Sequence, residues 1–284
     1  MRTKLGIILL VAIALVAAAC SSDDSGDSAD GGEGCEVDQL NLVEAGVLTI
    51  GTGEPVFEPW MVDDDPTNKQ GFESAVAYAV AEEMGFSDDQ VTWVRTTFDE
   101  AIAPGDKNFD FNLQQYSITE ARDEAVDFSD GYYTVKQALI VYPGSGVENA
   151  TTTDELQDSK LGAAIGTTSL DYIDNVIQPT EKAAVYDTNA DAKSAMDAGQ
   201  VDGLVFDLPT AYYITAVEIP DATIVGQFED PADQPEELGF VFTEGNTLVT
   251  CVNEALDTLD DDGTLAALEE EWLAQGGDIK TITP

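Results

Sequence analysis

Apolar residues along this chain follow two rhythms that take turns almost from end to end. Short runs of strand character, at residues 47–52, 91–95, 109–113 and 138–142, are separated by stretches in which apolar positions recur every three or four residues. Phe72, Val76, Val80 and Met84 mark one such helix, and Gly85 can close it in a left-handed conformation. After Gly144 the rhythm starts again. A short helix capped by Thr153, a strand over 161–165, a helix over 168–177, a strand near Val185, a helix over 190–198 closed by Gly199 and a strand over 203–206 come in order. Asn246 and Thr264 are expected to cap two amphipathic helices near the C-terminus. Strands that alternate with helices predict α/β architecture with largely parallel sheets. NFDFNL at 108–113 and QVDGLVF at 200–206 echo each other, which fits two similar lobes, each with a strand ending at a cleft.

The first residues have a different pattern. Arg2 and Lys4 precede an apolar run over 5–16 that ends in Ala17-Ala18-Ala19-Cys20. This is the charged, apolar and small-residue sequence of an export signal over residues 1–19, too short to favour a membrane-spanning helix. A Cys directly after small residues resembles a bacterial lipobox, which implies that Cys20 is lipidated; the alternative is an ordinary secretory signal with an incidental Cys. Residues 21–34, SSDDSGDSADGGEG, offer no apolar side chain larger than Ala, so residues 20–35 read as a lipidated Cys and a flexible acidic tether.

Composition narrows the function. The 284 residues are 43% hydrophobic, enough for one large or two medium cores. Fifty-six acids against 11 Lys and Arg give a net charge of −45, which argues against a nucleic-acid partner and against surface binding to an anionic membrane. There is no histidine, so Ser-His-Asp, Cys-His and His-ligated metal sites are excluded. TLDDDGTLAALE at 258–269 nearly spells a calcium loop, but Thr258 stands in its first position and the closing residues continue a helix. It is read as helix–turn–helix, and no metal or cofactor is expected.

Among so many carboxylates, arginine occurs only as Arg2, Arg95 and Arg122. A guanidinium fork grips a carboxylate with two parallel hydrogen bonds, so an isolated one often has a specific partner. A structural ion pair with Asp123, Glu124 or Asp127 is the plainer reading. The surrounding run, FDFNLQQYSITEARDEAVDFSDGYY at 109–133, resembles the signature of the bacterial extracellular solute-binding proteins of family 3, the lipoproteins that deliver polar amino acids to ABC importers.

The resemblance extends over roughly residues 47–276 and implies a two-lobed, type II periplasmic-binding-protein fold with a hinge and an interlobe cleft. It puts the first lobe at 36–135 plus 236–284 and the second at 136–235, with crossings near 133–137 and 231–239. Residue by residue it implies that Arg122 holds a ligand's α-carboxylate, with Ser117 as a hydroxyl donor and Thr119 in the loop before the arginine. GTTS at 166–169, after a strand, resembles the second half of that subsite through Thr167 and Thr168, and Asp207 matches the acid that binds the α-ammonium. GTGEPVFEPW at 51–60 places Phe57 and Trp60 along the pocket with Phe98 as a further wall, and Glu54 where family members often select the side chain. Gln114 and Gln115 stand where the family usually has small residues, so their amides could also reach a ligand.

The function implied by this resemblance is capture of a free amino acid, polar or cationic by preference, through hinge closure, and delivery to an ABC permease with its ATPase. The protein would be a monomer held at the outer face of the cell membrane by its lipid. With Cys20 lipidated, Cys35 and Cys251 are an even pair in an oxidising compartment, and the family's return of its last helices to the first lobe implies a disulfide between them. The rival is an enzyme of the same fold, a dehydratase or a glycan-cleaving enzyme, with Glu54 or Glu58 as general acid. A ligand-sensing accessory protein would share the same site.

Overall fold

The computed structural model describes residues 34–230, 235–273 and 279–284. The export signal, the lipidation site Cys20 and most of the expected tether lie outside the described residues.

The first strand, β1 (Leu48–Thr52), is buried at all five positions. Such a strand belongs in the middle of a sheet covered on both faces. After it come α1 (Phe72–Glu83), β2 (Val91–Arg95), α2 (Phe98–Ile102) and β3 (Phe111–Asn112), and it pairs in parallel with both β2 and β3. β3 is shorter than the expected 109–113, yet Asp110 N and Leu113 N still donate to the Thr49 and Gly51 carbonyls of β1. The Asp110 carboxylate meanwhile accepts from Val43 N and Thr49 N at 2.7 and 2.6 Å, fixing the segment that leads into β1.

Next come α3 (Glu120–Asp123), β4 (Val126–Phe128), β5 (Tyr133–Val135) and β6 (Gln137–Val141). A second α/β run continues through β7 (Leu161–Ala164), α4 (Thr168–Tyr172), β8 (Ala184–Tyr186), α5 (Asn189–Asp197), β9 (Gly203–Asp207), α6 (Leu208–Tyr213) and β10 (Thr223–Phe228). The helix expected over 168–177 is α4 continued by a wider, π-helical turn at Ile173–Ile177. The chain then forms β11 (Glu236–Leu238), β12 (Val241–Thr243), α7 (Leu248–Asp261), α8 (Thr264–Trp272) and β13 (Thr281–Ile282).

These strands make two main sheets. The first has the order β2-β1-β3-β12-β4 and the second β13-β10-β6-β9-β7-β8, while β5 and β11 form a separate antiparallel pair. α1, α7 and α8 pack on the first sheet around Leu48, Ile50, Phe72, Val76, Phe111, Phe240 and Leu256. The second sheet carries a core on each face, one centred on Leu139, Leu161 and Val205, the other on Ile140, Leu204 and Phe206.

Cys35 and Cys251 form a disulfide with their Cα atoms 5.5 Å apart, tying the segment before β1 to α7. The two last helices meet at a two-residue turn, Asp262-Gly263, with Gly263 at φ +82. Helix–turn–helix therefore replaces the calcium loop, and among the described residues no cluster of three potential ligands could hold a metal.

Two sequence expectations need correction. Thr264 does not cap α8: it is the first helical residue, and its N–H is taken by Asp262 Oδ1 at 2.8 Å. Asn246 does act near its helix start, accepting from Leu248 N at 3.0 Å, although Thr247 occupies the cap position itself. The second correction concerns the last residues, which the resemblance places with 236–284 in the first lobe. β13 instead pairs in parallel with β10 on the second sheet. The open edge of β10 needs partners, and Gln227 N and Glu229 N donate to the Lys280 and Ile282 carbonyls at 2.9 and 3.1 Å while Ile282 is fully buried.

Candidate functional site

The parallel strands β1, β3, β7 and β9 end in loops that line one cavity of about 530 Å³. Open α/β sheets place their ligand sites beyond the carboxyl ends of the strands, and a cavity of this size falls in the usual range for a small molecule.

On the first sheet's side, Thr119 Oγ1 accepts from Arg122 N at 3.3 Å and starts the single turn of α3. That cap turns Arg122 back over the loop. Its Nη1 donates to Ser117 O at 2.7 Å and its Nη2 to Gly166 O at 2.8 Å, so the guanidinium touches both sides of the cavity. The ring of Phe98 lies 5.4 Å below it and stacks in turn on Tyr116 at 4.6 Å. The ion pairs among the described residues are Lys69–Asp88, Arg95–Asp64, Lys136–Asp230 and Lys193–Glu218, so Arg122 does not pair with Asp123, Glu124 or Asp127. Burial lowers its pKa while the nearby charge of Glu236 opposes that shift. Among the described residues that line the cavity, Arg122 is the cation and Glu54, Asp99, Asp187, Asp207 and Glu236 are the acids.

On the second sheet's side, Gly166 takes φ +73 at the end of β7, a turn that side chains resist. Thr167 then caps α4 by accepting from Leu170 N at 3.2 Å while its hydroxyl donates to Ala164 O at 2.8 Å. This leaves Thr168 facing the cavity. Asp207 ends β9 and caps α6, accepting from Thr210 N at 2.8 Å. Loss of solvation raises its pKa to about 6, and the negative charge of Glu236 adds to the rise against the Thr210 hydrogen bonds.

Of the sequence-predicted residues, Glu54, Phe57, Phe98, Gln115, Ser117, Arg122, Thr167, Thr168 and Asp207 all line this cavity. Trp60 does not, which corrects the expectation that it walls the pocket. Trp60 N and Met61 N donate to the Phe57 carbonyl, a tight turn that leaves Phe57 44% exposed and sends the indole inward. There it meets Phe72 and Tyr133 edge-on, and its Nε1 donates to Thr210 Oγ1 at 3.0 Å. Glu58 also lies elsewhere, in a smaller groove with Pro59, Tyr212 and Trp272.

Gln115 is largely committed within the protein. Its N donates to Glu73 Oε1 at 2.7 Å and its Nε2 to Glu73 Oε2. Glu73 sits in the first turn of α1 with no solvent exposure and also accepts from Tyr132 OH at 2.5 Å. Desolvation raises its pKa to about 7 despite these hydrogen bonds. Sequence reasoning misses Glu73 as a support of the site and misses Gln137 and Glu236 in its wall. Gln137 Nε2 donates to both oxygens of Glu236 at 3.2 and 3.0 Å, while its Oε1 accepts from Ser169 Oγ at 2.6 Å.

A family model for bacterial extracellular solute-binding proteins, family 3, matches residues 48–275. The chain belongs to this family. Among its relatives the L-cystine-binding protein TcyJ of Escherichia coli (strain K12) is 27% identical over 240 residues, covering 83% of this chain and 85% of that protein. A solved structure of an ancestral arginine-binding protein bound to glutamine is 28% identical, with a TM-score of 0.68 over 82% of this chain and 100% of the other. The ancestral amino acid-binding protein AncCDT-1, a precursor of cyclohexadienyl dehydratase, is 30% identical with a TM-score of 0.65, covering 80% of this chain and 95% of its own. The fold is thus the two-lobed, type II architecture of family 3, and family 3 proteins work outside the cytoplasm.

Proposed function

We propose that this family 3 protein captures a free amino acid with a polar or cationic side chain between its lobes and presents it to an ABC permease and its ATPase. The observation that carries this reading is Arg122, a cavity-lining guanidinium outside every ion pair described, together with Asp207 on the opposite wall. In this reading Arg122, with Ser117, Thr167 and Thr168, receives the α-carboxylate and Asp207 the α-ammonium. Contacts drawn from both sheets select a closed form when the ligand bridges them. Glu54, exposed at the mouth, and the acids Asp99 and Asp187 favour a cationic or hydrogen-bonding side chain over an apolar one. Phe57 and Phe98 supply the apolar walls along its length.

A binding role accounts for this residue set better than an enzymatic one. A hydrolase has no need to hold a free α-ammonium, and Glu58, one of the two proposed acids, lines a different groove. A lipid on Cys20, which becomes the first residue once residues 1–19 are removed, would hold the protein, a monomer in this reading, at the outer face of the cell membrane beside its permease. A thermal-shift screen of the amino acids tests the ligand class through binding linkage. Stabilisation by arginine, lysine or glutamine supports it; stabilisation by leucine or phenylalanine alone overturns the assignment of the pocket.

A further inference from the structure

Glu236 arrives in the cavity from neither lobe's main sheet. It begins β11, paired across from Val135 of β5. On the other side of β11 the loop before Arg122 runs alongside, with Ile118 N donating to Glu237 O at 2.8 Å and Gly239 N to Tyr116 O at 2.9 Å. Backbone on both sides therefore fixes where the Glu236 side chain starts.

Its carboxylate accepts from three side chains. Oε1 accepts from Ser117 Oγ at 2.5 Å and from Thr168 Oγ1 at 2.6 Å, and Gln137 Nε2 lies at 3.2 and 3.0 Å from the two oxygens. Ser117 belongs to the first sheet's side and Thr168 to the second, and their hydroxyls are 3.3 Å apart. One carboxylate oxygen thus joins the two walls. These hydroxyls, beside Arg122, are the ones that the amino-acid reading gives to a ligand's α-carboxylate.

We propose that Glu236 is a specificity-determining residue that acts as an internal counter-ligand: its carboxylate holds the two walls together through Ser117 and Thr168, and an incoming α-carboxylate must displace it. The inference rests on the amino-acid reading for its second half only. An interaction present before binding and lost on binding weakens affinity by its own strength. A free carboxylate ligand bears that cost. A ligand with a neutral group at the same place leaves Glu236 where it is.

Glu236→Gln keeps the shape while removing the charge and turning one of the two acceptor oxygens into a donor. Calorimetry with arginine, lysine and glutamine, each beside its α-amide, should show about tenfold tighter binding of the free acid to E236Q and little change for the amide. A purely structural role would shift acid and amide together. Equal or weaker binding of the acids by E236Q overturns the proposal. Small-angle scattering of the protein without added ligand reads the first half independently, with E236Q and E236A both expected to give a larger radius of gyration. Unchanged radii in both variants overturn it as well. If neither wild type nor variant binds any amino acid, the functional reading fails, while the scattering still decides whether Glu236 holds the walls.

Discussion

Arg122 Nη2 donates to the carbonyl of Gly166 at 2.8 Å, so one guanidinium from the single turn of α3 rests on the turn after β7. The chain's scarcest charged side chain and its glycine turn meet across the cleft. That single contact sets the geometry in which a carboxylate could be gripped from both walls.

Truncating Arg122 should abolish high-affinity binding. Arg122→Ala leaves a ligand carboxylate without its charge partner at a desolvated site, a loss of about 3–5 kcal/mol. Arg122→Lys should recover only part of it, because an ammonium cannot reproduce two parallel hydrogen bonds. Calorimetry on the two variants measures both effects, and near wild-type affinity in Arg122→Ala would refute the role.

Binding should depend on pH through Asp207. The carboxylate must be ionised to receive an ammonium, and its pKa is raised to about 6 by burial. Affinity should be level above that value and fall as pH drops through it, approaching tenfold per unit. With no histidine in the chain, this transition has few competitors. Asp207→Asn should bind weakly and lose the pH dependence.

Folding stability should show the opposite slope. Glu73 has a native pKa of about 7 against an unfolded value near 4.5, so the native state holds its proton longer. Wherever the native state binds more protons, stability falls as pH rises. The stabilisation from the neutral acid is complete below about 4.5 and is lost as pH rises through about 7, a span worth at most about 3.5 kcal/mol. Urea unfolding of the wild type between pH 5 and 8 should therefore show declining stability, and Glu73→Gln should flatten the slope whatever its absolute stability. A slope unchanged in that variant would show that Glu73 is already ionised at pH 5.

The disulfide closes a separation of 216 residues, for which chain entropy sets a ceiling of about 5 kcal/mol. Cys35→Ser with Cys251→Ser should lower the melting temperature and leave ligand affinity unchanged, because the bond ties α7 to the segment before β1 and neither cysteine lines the cavity. A change in affinity would mean that the bond positions the site as well as stabilising the fold.

Arg122 is legible in the sequence because arginine is rare here and its neighbours carry a recognisable run. Glu73 and Glu236 are not, for the opposite reason. Among 56 acids each carboxylate carries little information, and only the fold reveals that one is buried in the first turn of α1 and another spans the cleft. Trp60 shows a different limit. An aromatic beside a proline can face either side of a loop, and the turn at Phe57 that decides its direction is a backbone property. The strand rhythm locates β1, β2 and β7 almost to the residue, since each is a short run of small, β-branched and apolar residues bounded by turn or helix signals. β13 escapes it because two residues gain strand geometry only from the edge of β10, a partner distant in sequence.

Titration calorimetry of the purified protein with arginine, lysine, glutamine and cystine, run in parallel on Arg122→Ala and Asp207→Asn, decides whether this cavity holds a free amino acid between Arg122 and Asp207. The wild type should bind at least one of these amino acids saturably and one-to-one, with binding lost or weakened more than a hundredfold in each variant. Binding that survives unchanged in both variants, or no binding of any amino acid to the wild type, would contradict it.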